Sequence, residues 1–182
     1  MKTNKIIFAV SLVALAFLAF SLSTTTVPMQ TGASSGIAYH SVVCVYKNGV
    51  LVEPCHSNLL TNGGKDLVMF GLNSSGPQNV VLIGVSNQTS AQAATDTALA
   101  TEWTSCGLTN SSGTFVYRGV GQWNVTKTFT STCDSVTVNG TALYNNSLGN
   151  GLANKMFAET TFTSTTLNTN DQLNITWGIY VS

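Results

Sequence analysis

Charge is what this 182-residue chain has least of. Asp, Glu, Lys and Arg make up 8% of it, against roughly a quarter in an average soluble domain. No stretch concentrates the basic residues, so the electrostatic footprint that nucleic-acid binding requires is missing. The carboxylates are too few and too scattered for paired acid–base catalysis. Histidine is limited to His40 and His56, and Glu53 is their only nearby carboxylate, a poor basis for a metal site. No Cys-x-x-Cys spacing occurs, which argues against structural zinc. Gly84-Val85-Ser86-Asn87-Gln88 begins like a nucleophile elbow but lacks its closing glycine. The turn with Asn168, Asn170 and Asp171 lacks the ligand register and terminal Glu of an EF-hand. Trp103, Trp123 and Trp177 read as core residues in a β-rich chain, with an exposed sugar platform as the alternative. These absences leave no catalytic residue, cofactor or metal to expect.

What is present begins at the N-terminus. Lys2 and Lys5 precede an apolar run over residues 6–20, followed by Ser21-Leu22-Ser23. This is the order of a secretory signal, with cleavage after Ser23. An uncleaved membrane anchor and a pilin-type leader cut near Lys5 are the competing readings. Cleavage after Ser23 leaves no membrane-embedded segment, and one domain with five basic and seven acidic residues. Thr, Ser and Asn must then supply its solubility.

Two features suit an oxidising, extracellular destination. The four cysteines, Cys44, Cys55, Cys106 and Cys133, form an even set that favours two disulfides, among three possible connectivities. Seven Asn-x-Ser/Thr sequons, at Asn73, Asn87, Asn110, Asn124, Asn139, Asn145 and Asn174, exceed the roughly four that composition alone would supply. An acceptor that carries an N-linked glycan has to face solvent, because a sugar cannot enter a packed interior.

The periodicity is that of strands. Asn48-Gly49 between two apolar runs is a two-residue hairpin signal. In that register Cys55 sits opposite Val42, on the face of Cys44 but diagonal to it. A Cys44–Cys55 staple would therefore need a bend at Pro54, and it would leave Cys106 with Cys133. Residues 79–85 form a continuous apolar strand expected at a sheet centre. Strands are expected over 114–120, 122–130, 135–139, 155–165 and 172–181. The last is the clearest: Leu173, Ile175, Trp177, Ile179 and Val181 alternate with Asn174, Thr176, Gly178 and Tyr180. Short helices are expected over 64–72 and, N-capped by Ser90, through Ala98 and Leu99. The fold class is all-β: a sandwich or jelly roll over residues 39–182, decorated by one or two short helices.

Residues 24–36 stand apart, uncharged and mostly small or polar. In an extended chain Val27, Met29, Thr31 and Ala33 share one face. One reading is a flexible linker. The other is a strand that pairs with an open sheet of another subunit, in which main-chain hydrogen bonds bind and alternate side chains fill pockets.

Three stretches carry a resemblance. They are residues 56–67, with Thr61-Asn62-Gly63-Gly64-Lys65-Asp66-Leu67; residues 81–102, with Val81-Leu82-Ile83-Gly84-Val85-Ser86-Asn87 and Thr95-Asp96-Thr97-Ala98-Leu99; and the pair Lys155-Met156-Phe157-Ala158-Glu159 and Asp171-Gln172-Leu173-Asn174-Ile175. Together they resemble a β-sandwich module of viral structural proteins and exported archaeal surface proteins. With the leader and sequons, the chain looks most like the subunits of archaeal threads and bundling pili. That resemblance covers residues 56–181 and implies a cell-surface filament, a homopolymer serving adhesion or biofilm formation. It makes residues 24–38 a donor strand that completes the next subunit. A monomeric carbohydrate-binding or adhesive module, a virion surface protein and a secreted hydrolase are the alternatives.

Overall fold

The computed structural model describes residues 38–72, 79–145 and 155–181. The expected leader over residues 1–23, the donor candidates Val27, Met29, Thr31 and Ala33, and the sequon at Asn73 lie outside the described residues.

Strand β1 (Tyr39–Lys47) turns into β2 (Val50–Leu51), with Lys47 opposite Val50 and Tyr46 opposite Leu51. Asn48 and Gly49 adopt φ of 49° and 80°, the left-handed pair that this tight hairpin turn demands. Around Pro54 the chain then absorbs two extra residues, so that in β3 (His56–Ser57) His56, not Pro54, faces Val43. This slip carries Cys55 from the diagonal position to the place that continues the register opposite Cys44. The two form a disulfide with Cα atoms 4.5 Å apart.

After β4 (Leu59–Leu60) the helix α1 (Asn62–Leu72) starts two residues earlier than its apolar pattern indicates. Thr61 explains this, because its Oγ1 accepts the Gly64 N–H at 3.0 Å as an N-cap. The remaining elements are β5 (Val80–Ser86), β6 (Ser111–Ser112), β7 (Thr114–Gly119), β8 (Gln122–Thr130), β9 (Val136–Asn145), β10 (Met156–Leu167) and β11 (Gln172–Val181). They build two antiparallel sheets, one ordered β2-β1-β11-β8-β7 with β3 also on β1, the other β4-β10-β9-β5-β6. The molecule is an all-β sandwich.

Its core lies between the sheets. Val43, Val125, Phe129, Leu173, Ile175 and Trp177 from the first sheet meet Ile83, Val138, Leu143, Ala158 and Leu167 from the second, all buried. Each side chain of leucine size contributes roughly 1.5–3 kcal/mol by leaving water. The alternation read in β11 holds for Leu173, Ile175, Trp177 and Ile179, all at 0% exposure, and fails at Val181, which is 37% exposed at the end of the strand. The second disulfide, Cys106–Cys133, has Cα atoms 5.2 Å apart. It ties the connection before β6 to the turn after β8.

Two expectations are corrected. Residues 90–99 form no helix, because their N–H groups are taken by other partners: Ala93 by the Asp96 and Glu159 carboxyls, Leu99 by the Tyr144 hydroxyl. Strand β5 is not central; it has only the two-residue β6 beyond it. Its continuous apolarity has another cause. Residues 87–105 lie over the outer face of the second sheet, where Leu99 packs with Ala142, Tyr144 and Met156.

Candidate functional site

The feature that the fold leaves open is an apolar groove of about 600 Å3 at one end of the sandwich. Eight elements line it, with Tyr39 from β1, Leu60 from β4 and Phe157 from β10 at its base. Strand β5 gives Val80 and Val81, β7 gives Phe115, β8 gives Trp123, β11 gives Val181, and α1 gives Leu67, Val68 and Leu72. Of the lining residues only Lys65 is charged.

The topology explains the opening. Phe115 pairs with Val125 and Tyr117 with Trp123, and Val125 is wholly buried between the sheets. Phe115 and Tyr117 therefore share the core-facing side of β7, yet they are 55% and 66% exposed. Among the described residues, the second sheet carries no strand that covers them. Strand β6 pairs β5 only at Leu82 and Ile83, and the chain then crosses to the first sheet at Gly113. Glycine is required there: a Cβ would lie 2.8 Å from Val125 Cγ1 and 2.9 Å from the Thr126 carbonyl oxygen. Beyond this crossing, no described strand pairs with the outer edge of β7. An apolar edge with unpaired N–H and C=O groups is a template for another strand.

The predicted site residues fall into three groups. The four cysteines come together as Cys44–Cys55 and Cys106–Cys133. The sequon acceptors differ widely in access. Asn87 and Asn110 are exposed, while Asn124 and Asn174 lie half-buried on the outer face of the first sheet. There Asn174 Nδ2 donates to Thr128 Oγ1 at 2.8 Å. Asn139 Nδ2 donates to the Gln88 carbonyl at 2.7 Å. Asn145 is at 0% exposure, with its Oδ1 accepting the Lys155 N–H at 2.9 Å. Solvent access thus fits Asn87 and Asn110 and is absent at Asn145. The third group, the donor residues, lies outside the described residues.

The other chemistry considered is dispersed. His56 Nδ1 is 3.0 Å from Glu53 Oε1, and its Nε2 is 3.0 Å from Thr160 Oγ1. Among the described residues no group of three or more His, Cys, Asp or Glu could hold a metal ion. Trp177 is buried in the core, Trp103 Nε1 donates to the Thr137 carbonyl at 3.1 Å, and Trp123 lines the groove, so the three tryptophans share no common sugar platform. The groove itself escaped sequence reading. Its one signal was Phe115-Val116-Tyr117, apolar on both faces of a strand. Comparison with family models, curated proteins and solved structures gives no match for this chain.

Proposed function

We propose that this chain is the structural subunit of an extracellular surface filament, polymerising head to tail by donor-strand complementation and serving adhesion or biofilm formation. Residues 24–38 of one copy run along β7 of the next, and Val27, Met29, Thr31 and Ala33 fill the groove. The observation that carries this reading is the open apolar groove beside an unpaired, apolar edge strand. Dimensions agree: residues 27–33 extended span about 20 Å, close to the length of a six-residue strand such as β7. Val27 and Met29, if fully buried there, each contribute roughly 1.5–3 kcal/mol, in addition to the main-chain ladder. Pro28 is compatible where its missing N–H faces away from β7.

The two disulfides point to an oxidising compartment, which suits export and a surface location. Glycans at exposed sequons would add solubility that the 8% of charged residues does not supply. A carbohydrate-binding module draws little support from the tryptophans, since Trp177 is buried, Trp103 is held by Thr137 and Trp123 alone lines the groove.

Deleting residues 24–36 tests the reading. The truncated chain should still be exported and folded but should form no filaments by negative-stain electron microscopy. Filaments of normal appearance from the truncated chain would overturn it.

A further inference from the structure

We propose that residues 87–105 are held on the second sheet by a proton shared between the Glu159 and Asp96 carboxyls, so that this cover is tight in acid and loosens as the pH rises. The outer face of the sheet forms a trough here. Gly84 pairs with Ala142 and Ala142 with Glu159, two small residues followed by a carboxyl. The covering segment fills the trough, and a Cβ on Gly84 would collide with Glu102 Oε1.

Glu159 is only 1% exposed. Its Oε1 accepts the Ala93 N–H at 3.3 Å, while Asp96 Oδ2 accepts the same N–H at 2.9 Å. One N–H, even with the Gln88 amide nearby, cannot balance a second negative charge on the buried Glu159, whose proton affinity the neighbouring Asp96 raises. No cation assists. The three ion pairs among the described residues are Lys47–Asp171, His56–Glu53 and Lys155–Asp66, and none involves this cluster.

What the site has in excess is acceptors. Glu159 Oε2, Gln88 Oε1 and Glu102 Oε1 are buried with no well-aligned hydrogen-bond partner, and the Gln88 and Asn110 amides near Glu159 and Glu102 offset only part of that deficit. A proton on Glu159 supplies the missing donor. The remaining ionisable neighbours are Glu102, from the covering segment, and Tyr144, from β9. The Tyr144 hydroxyl accepts the Leu99 N–H at 3.1 Å and donates to Glu102 Oε2 at 3.4 Å. Burial first, and then Asp96, push Glu159 up to about 7. Burial also raises Glu102 and holds Tyr144 neutral.

The sign follows from proton counting. Between the ordinary value of 4.5 and about 7, the covered state keeps a proton that the open state has lost. Its advantage is therefore complete below the lower value and disappears as pH rises through the upper one.

Hydrogen–deuterium exchange on the full exported chain, corrected for intrinsic rates, tests this. Peptides within 87–105 should open roughly tenfold to a hundredfold more often at pH 8 than at pH 5, while β11 peptides stay protected. Glu159→Gln, which keeps the shape and carries a permanent donor, should remove most of that dependence. Asp96→Asn should reduce it, and decides the matter if Glu159→Gln fails to fold. An unchanged pH dependence in the folded variants, or none in the wild type, overturns the proposal. So does a loosening of the wild type by chelator at pH 8, because a cation would then be satisfying these oxygens.

Discussion

Asn145 and Asp171 are short polar side chains that satisfy backbone groups at opposite ends of the sandwich, and each makes a prediction of its own. Asn145 is fully buried and spends its Oδ1 on the Lys155 N–H, so a glycan there would have to break the pairing of β9 with β10. Glycopeptide mass spectrometry of the native protein should find Asn145 unmodified, with any occupancy at Asn87 and Asn110 far higher. Asp171 accepts from the Asn168 N–H and from Asn48 Nδ2, both at 2.8 Å, and lies 3.1 Å from Lys47 Nζ. It thereby ties the β1–β2 turn to the turn before β11. The Asn168 N–H first, then Asn48 and Lys47, hold its carboxyl down at about 2. A depressed value stabilises the fold above the unfolded value of 3.8, and that contribution is lost as pH falls through about 2. Thermal melts of Asp171→Asn should therefore show a deficit at pH 5 that closes toward pH 2. A deficit independent of pH would mean that the charge is not what matters. Taken with Glu159, whose contribution runs the opposite way, these two groups set the most stable interval between about pH 4 and 5.

At the scale of elements, what could be read from the chain depends on how local its cause is. The β1–β2 hairpin and β11 were legible because Asn48-Gly49 and a period of two are written within ten residues. The slip at Pro54 was not, since nothing local counts the two residues it absorbs; only the Cys44–Cys55 bond records it. Residues 90–99 misled because Ala93, Ala94 and Ala98 favour a helix, whereas Glu159 and Tyr144, far away in sequence, claim their N–H groups. Strand β5 misled for the same reason, as its second buried face is covered by an irregular segment. The groove was invisible because it is a lack, a place where β6 ends too soon. The disulfides give a direct measure of what holds these elements. Cys106–Cys133 spans 27 residues against 11 for Cys44–Cys55. Replacing the former pair by Ser should cost about 3 kcal/mol in denaturant unfolding, and the latter pair somewhat less. A larger loss from the shorter loop would locate the effect in the native packing around β3.

The molecule as a whole is a sandwich whose two sheets end unevenly. The first carries β7 outward with Phe115 and Tyr117 on its inner side, and the second stops at a two-residue strand opposite it. In a solitary molecule such an edge invites aggregation. In the proposed polymer it is where the next subunit would join. A side-chain-resolution cryo-electron microscopy reconstruction of the native assembly tests this most directly. Residues 24–36 of each subunit should appear as an added strand along β7 of its neighbour, with Val27 and Met29 seated between Phe115, Val80 and Leu72. A groove left empty, or filled by residues of the same subunit, would contradict it.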